Sequence, residues 1–303
     1  MLEGAAGNDC ATSYAEASSV TSATRPTCVV KLGGDVAGRA DALANVLRDV
    51  ARLVERGWRA VVCHGGGPQT TELGRQLGLE ARVVAGQRVT DEPTLRVACR
   101  AIAGEVGCMV VAAAWCEGLR AIGISAGVVH AQRRPPVAVQ SEGGRLVDYG
   151  LVGDPTRVEL GVIEACWSVG MTPILNPIGV GEQGDAPLLN INGDTVASAL
   201  AVALRVDHLF AITSVPGVLR DIEDPASRIP SLGEDEARAA IASGSIRGGM
   251  IPKVEEALAA LAGARAVHIL APEPGALLQA AERPGSQGTV FFGSSTPGRR
   301  ETT

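Results

Sequence analysis

Two lysines stand alone in a chain of 303 residues whose other 25 basic side chains are arginine. Lys31 lies in Val29-Val30-Lys31-Leu32-Gly33-Gly34, and Lys253 in Gly248-Gly249-Met250-Ile251-Pro252-Lys253, so each has a glycine pair nearby. An ammonium is a compact point charge with three rotatable donors, whereas a guanidinium is a broad planar fork. A compact cation beside exposed backbone N–H groups suits a phosphoryl group in transfer, whose charge is spread over three equatorial oxygens. A composition bias against lysine explains the scarcity but not the placement.

Other segments have spacing that could serve the same chemistry. His64-Gly65-Gly66-Gly67-Pro68 ends an apolar run and opens a helical pattern, with proline where a helix begins. A tight strand-to-helix turn needs one glycine; three leave N–H groups open to an anion at a helix N-terminus. Asn190-Ile191-Asn192-Gly193-Asp194-Thr195 opens the helical pattern Thr195–Leu204. Here Asn192 or Asp194 can be a plain N-cap, or Asp194 can point between the two lysines and hold them. In Gly86-Gln87-Arg88-Val89-Thr90-Asp91, Arg88 is either a solvated charge or a bidentate clamp on a carboxylate. Thr213-Ser214-Val215-Pro216-Gly217-Val218-Leu219 is a turn on its own terms; in an α/β sheet it falls at the edge where a nucleotide sits. Gly179-x-Gly181-x-x-Gly184 matches the dinucleotide fingerprint in form, but a turn and a strand are expected after it rather than a helix, so it reads as a decoy. No Gly-x4-Gly-Lys-Ser/Thr segment occurs, which excludes a P-loop enzyme.

These segments need a scaffold, and the hydrophobic pattern supplies one. Strands are expected at Cys28–Leu32, Ala60–Cys63, Arg120–Ile124, Thr172–Asn176, His208–Thr213 and Ala266–Leu270. Between them lie helical patterns. Leu43, Val46, Leu47, Val50 and Leu53 make one face of 41–54, and Val254, Leu258 and Leu261 make one face of 253–261. This alternation predicts an open αβα sandwich around a mostly parallel sheet, with ligands at the carboxyl ends of the strands. Glycine-rich sequence near residues 176–185 marks a boundary between an N-terminal lobe, 27–178, and a C-terminal lobe, 179–295. Residues 1–26 and 296–303 read as tails; the first lacks the pattern of a signal peptide and has room for a short helix near Tyr14.

The net charge of −6, with no basic block, argues against nucleic acid as a partner. No apolar run reaches spanning length, so no transmembrane helix is expected. Seven cysteines with no Cys-x-x-Cys and four scattered histidines point to a reducing, cytoplasmic setting without a protein-built metal site.

Taken in order, Lys-Leu-Gly-Gly, His-Gly-Gly-Gly-Pro, Gly-Gln-Arg-Val-Thr-Asp, Val-Asp-Tyr-Gly-Leu-Val-Gly, Pro-Ile-Gly-Val-Gly, Asn-Ile-Asn-Gly-Asp and Gly-Gly-Met-Ile-Pro-Lys make the chain resemble the amino acid kinase family from about Cys28 to Phe292. Within it, the likeness is to the branch that phosphorylates the side-chain carboxylate of N-acetyl-L-glutamate in arginine biosynthesis. The resemblance implies ATP as donor, with Mg²⁺ held mainly by its phosphates, and a homodimer built on the N-terminal lobe, or a hexamer. It implies that Lys31, Lys253 and Asp194 are catalytic. It gives Gly33, Gly34 and Gly65 to phosphate binding, and Gly66, Gly67, Arg88 and Asn190 to the substrate. Thr213, Ser214, Val215, Gly217, Val218, Leu219, Gly248 and Met250 would frame the nucleotide.

The chain departs from the family pattern in places. Ser125-Ala126-Gly127-Val128-Val129-His130 is shorter than the usual Ser-Gly-x-Asp-Gly segment, Ser214 replaces an aspartate, and Gly193 replaces an alanine. The segment 270–275 differs from the family's arginine-site sequence, so weak or absent arginine feedback is expected. Two other readings compete. Related kinases act on glutamate or 2-aminoadipate linked to a small acidic carrier protein. Those would want basic residues near the last motif, where Ile251 and Pro252 stand, with Arg247 the only cation nearby. A non-catalytic amino-acid-sensing module would be expected to have lost a lysine or Asp194, and all three are kept.

Overall fold

The computed structural model describes residues 25–293 except 140–142, 183, 185 and 222. The helix expected near Tyr14, the C-terminal tail and nearly all of the N-terminal tail lie outside the described residues. Eight strands make the central sheet, in the spatial order Ser231–Gly233, Thr289–Phe292, Ala264–Leu270, Val206–Ile212, Thr27–Leu32, Arg59–His64, Thr172–Leu175, Ala121–Ile124. Neighbours run parallel except Ala264–Leu270 against Thr289–Phe292. The six expected strands are all present, with ends displaced by no more than two residues. Their continuous apolar runs follow from burial on both faces: Cys28, Val29, Val30 and Leu32 are all fully buried. The sheet draws strands from both expected lobes.

Helices cover both faces. Ala40–Glu55 buries Leu43, Val46, Leu47, Val50 and Leu53, the face its period marks out. On the other face lie Gly193–Leu204 and Met250–Ala260, which pack on each other. The latter begins three residues before the expected Lys253. Proline is tolerated in a first helical turn, where its missing N–H has no intrahelical partner. The Gly248–Lys253 motif is therefore a helix start.

A second, four-stranded sheet runs in the order Leu188–Asn190, Ile178–Gly181, Val129–Arg133, Gly153–Val158. Ile178–Gly181 and Leu188–Asn190 pair antiparallel, so the fingerprint's glycines fall in and just after the first strand of a hairpin, with no helix for a pyrophosphate among the described residues there. A small hairpin, Val83–Val84 with Gln87–Arg88, carries Arg88.

The expectation about spanning length needs correction. Glu92–Cys116 is a continuous helix of 25 residues with a mean hydropathy of 1.7 in its most apolar window, enough to cross a membrane by length and composition. In the fold it packs on Ala40–Glu55 and Gly67–Gln76, and Leu95, Ala98, Ala101, Ile102, Val106, Val110 and Ala114 are buried. Its middle, Cys99–Val106, is wound as a π-helix.

Candidate active site

The carboxyl ends of the two middle strands each pass straight into glycine. After Leu32 the chain turns through Gly33 into the short helix Gly34–Ala37, and after His64 it turns through Gly65 and Gly66 into Gly67–Gln76. The two turns touch. A Cβ on Gly34 would come within 2.8 Å of Pro68 Cδ, 3.1 Å of Gly67 N and 3.2 Å of Gly66 N, and one on Gly66 would strike Ile102 Cγ1 at 2.8 Å. Gln69 Nε2 donates to Gly34 O at 2.9 Å and Thr70 Oγ1 to Gly66 O at 2.8 Å, which fixes both turns. Beneath them His64 is buried, with Nδ1 2.9 Å from Gly65 O, and burial pulls its pKa down.

The structure separates glycines the sequence treated alike. Gly33 N donates to Ile212 O at 3.2 Å and Gly65 N to Leu32 O at 2.9 Å, so these two amides are not open to a phosphate as expected. Each glycine lies one residue past a strand end, where the ladder still claims its N–H. The amides of Gly34, Gly66 and Gly67 take no partner among the described residues. Those of Gly34 and Gly67 open helices, where the first N–H groups have no intrahelical acceptor.

Lys31 Nζ lies 2.5 Å from Asp194 Oδ1, with the two side chains 15% and 26% exposed. Burial acts to lower the lysine's pKa, but the adjacent carboxylate outweighs it, and the ammonium is held above its ordinary value. The capping question at Gly193–Leu204 also resolves. Asn192 is the N-cap, its Oδ1 accepting from Asp194 N at 2.9 Å, which leaves the Asp194 carboxylate free for Lys31. A Cβ at Gly193 would sit 3.8 Å from both Gly65 Cα and Lys31 Cε, so the helix start packs directly on the glycine turn and the lysine stem.

Lys253 stands in the first turn of Met250–Ala260, with Nζ 3.1 Å from Thr213 Oγ1. Both lysines and Asp194 line one small pocket with Thr213, and all three also line an open cleft of about 730 Å³. The cleft wall includes Gly34, Gly65, Gly66, Gly67, Arg88 and Asn190. Arg88 Nη2 donates to Gly67 O at 3.0 Å and Thr71 Oγ1 at 2.6 Å, and the guanidinium has no carboxylate partner among the described residues. Asn190 Nδ2 donates to Thr90 Oγ1 at 3.1 Å. Thr90 in turn bridges to Gly150, where a side chain would strike Thr90 O at 2.3 Å. Three motifs far apart in sequence thus meet at this end of the cleft.

The expected nucleotide frame does not gather there. Of that set only Thr213 lines the pocket with the lysines. Val218 is fully buried in the core, and its amide donates to Thr289 Oγ1 at 2.8 Å. A Cβ on Gly217 would meet the same hydroxyl at 2.8 Å. Ser214 is exposed, while Val215, Leu219 and Met250 are half-buried. Gly248 turns with φ +58° just before the helix. The shortened Ser125–Val128 turn is held by Asn176 Nδ2, which donates to Ile124 O and Ser125 O, and it lines no part of the cleft.

Two charged groups on the cleft wall, Glu255 and Glu256, escaped the sequence reading. Glu256 lines both the small pocket and the cleft, hydrogen-bonded to Asp194. It is three residues from Lys253, so it shares that lysine's helix face. The signal was there once the helix is known to begin at Met250.

The chain resembles known proteins over about nine-tenths of its length. A profile of the amino acid kinase family matches residues 26–271. An acetylglutamate kinase of Sorangium cellulosum is 49% identical over 277 residues, 90% of this chain and 96% of that one. One from Anaeromyxobacter dehalogenans is 46% identical over 271 residues, 88% and 99% of the two chains. Among solved structures, smu.665 from Streptococcus mutans superposes with a TM-score of 0.69 at 26% identity, over 88% of this chain and 98% of that one. A parallel sheet with paired glycine turns at its carboxyl edge, the ordered motifs and these relatives agree: the chain belongs to the amino acid kinase family.

Proposed function

We propose that this protein is an acetylglutamate kinase. It transfers the γ-phosphoryl group of MgATP to the side-chain carboxylate of N-acetyl-L-glutamate, forming an acyl phosphate and ADP in arginine biosynthesis. The observation that carries this reading is the meeting of Lys31, Asp194 and Lys253 on one cleft whose wall holds three free glycine amides. A carboxylate acceptor is ionised at neutral pH, so no general base is needed and catalysis is positioning plus charge stabilisation. Arg88 and Asn190 bind the α-carboxylate end of the acceptor. Lys31, held by Asp194, meets the phosphoryl group from the acceptor side. Lys253 meets it from the nucleotide side and offsets charge on the departing ADP oxygen. The amides of Gly34, Gly66 and Gly67 receive equatorial oxygens.

Mg²⁺ enters as part of the substrate, ligated by phosphate oxygens and water. A second cleft of about 730 Å³, lined by Arg220, Ile229, Leu232, Ile246 and Arg247 among others, is assigned to the nucleoside, with buried Val218 behind its wall accepting from Ile229 N at 2.8 Å. A homodimer is supported by Ile122 on the exposed edge strand and by Met109 and Trp115 beside it, all large apolar side chains left open. The free thiols of Cys28, Cys63, Cys99, Cys108, Cys116 and Cys166 suit a reducing cytoplasm.

Purified protein with MgATP, N-acetyl-L-glutamate and hydroxylamine should yield a hydroxamate that depends on both substrates. Turnover only with a carrier-linked acceptor, or ligand binding without any turnover, would overturn the proposal.

A further inference from the structure

Glu256 puts a second carboxyl group where the reaction described above has use for only one. The helix Met250–Ala260 carries it into the small pocket, where it meets Asp194 from Gly193–Leu204 and lies close to Lys31 and Lys253. Two adjacent carboxylates in a partly dry pocket repel each other, and the cheapest relief is a shared proton, with one carboxyl donating to the other. The surroundings favour this. Burial is the largest influence on Glu256, the Asp194 charge adds to it, and the two ammonium groups only partly oppose them, so its pKa is raised to about 7. From the strand Ala264–Leu270 the neighbours at this pocket are the apolar Val267 and Ile269, and from Gly193–Leu204 they are Ala197 and Ser198 besides Asp194. Glu255 on the same helix lines the open cleft, and the helix Glu234–Ala242, packed on the other flank, sends no side chain into either cavity.

We propose that Glu256 is a positioning residue that works as a proton-linked gate on nucleotide binding: protonated, it donates to Asp194 and leaves the cleft net positive; deprotonated, it sets a second negative charge beside the incoming phosphates. This builds on the kinase reading. The proton held between Asp194 and Glu256 lets Asp194 keep its ion pair with Lys31 while the pocket carries one carboxylate charge instead of two. By reciprocity, a nucleotide that binds the protonated form better must also draw a proton onto Glu256 as it binds. The lysines and Asp194 lie at the reacting phosphoryl group, whereas Glu256 acts through Asp194 and through the net charge of the pocket.

The test measures binding apart from turnover. Calorimetry with a non-hydrolysable ATP analogue and Mg²⁺ at pH 7.5, in two buffers of different ionisation enthalpy, reads the protons exchanged on binding. The wild type should take up more protons than Glu256→Gln, by about half a proton per nucleotide. Its affinity for the analogue should fall about sixfold more between pH 6.5 and 8.5 than that of Glu256→Gln, as a one-unit rise in the group's pKa on binding requires over that range. In turnover, KM for MgATP should climb over the same range in the wild type and stay level in Glu256→Gln. Equal proton uptake and parallel pH profiles in the two proteins would overturn the gate. A protein that binds the analogue with the predicted uptake but forms no hydroxamate would sink the proposed kinase activity and leave the gate standing.

Discussion

The two faces of the middle strands treat buried ionisable groups in opposite ways. On one face Lys31, beside Ala211 in the ladder, pairs with Asp194 in a pocket shared with Lys253 and Glu256, and the charge of that pair is kept by setting opposite signs together. On the other face His208 and His268 lie with Nδ1 and Nε2 2.9 Å apart, stacked with Phe210 while Trp58 tilts against His208, and charge is avoided. Burial is the largest influence on both histidines and lowers their pKa, that of His268 well below the usual range. The same strands supply both clusters, so the sheet does not decide which behaviour occurs. The covering layer does. Over Lys31 lie helix N-termini and glycine turns, which bring counter-charges and open to a cleft. Over the histidines lie Ala40–Glu55 and Ala276–Glu282, which bring mostly apolar side chains; the one buried carboxylate, Asp49, accepts from the amides of Leu277 and Leu278 rather than pairing with a cation, and burial raises its pKa. Substitutions on the first face should therefore change rate more than stability, and those on the second stability more than rate.

Lys31→Arg should have the largest effect. The charge survives, but a planar fork replaces a point charge pinned at 2.5 Å by Asp194. Turnover should fall by roughly 10³-fold, a loss of the size seen when one preorganised charge contact is removed, with the melting transition nearly unchanged. Lys253→Arg should cost less, about tenfold, because Lys253 meets a neutral hydroxyl and has no carboxylate in ion-pair range among the described residues. Equal losses in the two variants would break the distinction between a pinned and a loosely held lysine.

Asp194→Asn tests the pairing itself. Without the carboxylate, burial acts on Lys31 against only the weaker pull of its remaining neighbours, Glu256 among them, and its pKa should fall. Turnover should fall about 10²-fold, and more of it should return as the pH is lowered to reprotonate the amine. Stability should change by only about 1–2 kcal/mol, since both groups keep some solvent. A loss of folding with no change in the pH profile would mean the pair is there to hold the helix.

The histidine face gives the intermediate effect, and its sign is fixed by linkage. The folded pKa values lie below the unfolded value of about 6.5, so below that pH the unfolded chain binds protons that the folded chain refuses. Stability is full above about pH 6.5 and declines as the pH falls toward the folded values, by about 1.4 kcal/mol per pH unit for each proton. Urea midpoints at pH 7.5, 6.0 and 5.0 should trace that decline, and His268→Leu should make it shallower. A midpoint independent of pH in the wild type would show that the buried pair accepts charge after all.

These contrasts also mark what could be read before the fold was known. The six expected strands, from Ala264–Leu270 across to the edge strand Ala121–Ile124, and the amphipathic helix Ala40–Glu55 were legible because each is a short apolar run or a single periodic face bounded by turn residues. Glu92–Cys116 was not, since it is apolar around most of its circumference and periodicity needs a polar face for contrast. Lys31, Lys253 and Asp194 stood out by residue type and glycine context. Which glycine amides are open could not be seen, because that depends on whether the ladder claims Gly33 and Gly65. The Ser214–Leu219 motif was visible as a string, but only packing reveals that Val218 is core and that its amide is used by Thr289. Gln287-Gly288-Thr289 has the same character. Gly288 sits at φ +62° with Ile269 O 2.3 Å from where a Cβ would be, and Thr289 braces the loop.

The smallest effect belongs to Gly193, at the seam between rate and stability. It is the first residue of Gly193–Leu204, where glycine costs conformational entropy on folding and nothing in its backbone requires it, since its φ is not positive. A methyl group there would meet Gly65 Cα and Lys31 Cε at 3.8 Å, ordinary contact distance. Gly193→Ala should therefore stabilise the protein by about 0.4–1 kcal/mol through the unfolded chain, read as a higher urea midpoint with an unchanged slope. The added methyl would also pack on the lysine stem and narrow its range of motion, so KM for MgATP should hold while turnover rises slightly or stays level. A destabilised variant would mean that the helix start and the glycine turn are closer than the contact distance implies. A stable variant with lost turnover would mean that Lys31 must move during the reaction, and the contrast between a pinned and a loosely held lysine would then have to be drawn the other way.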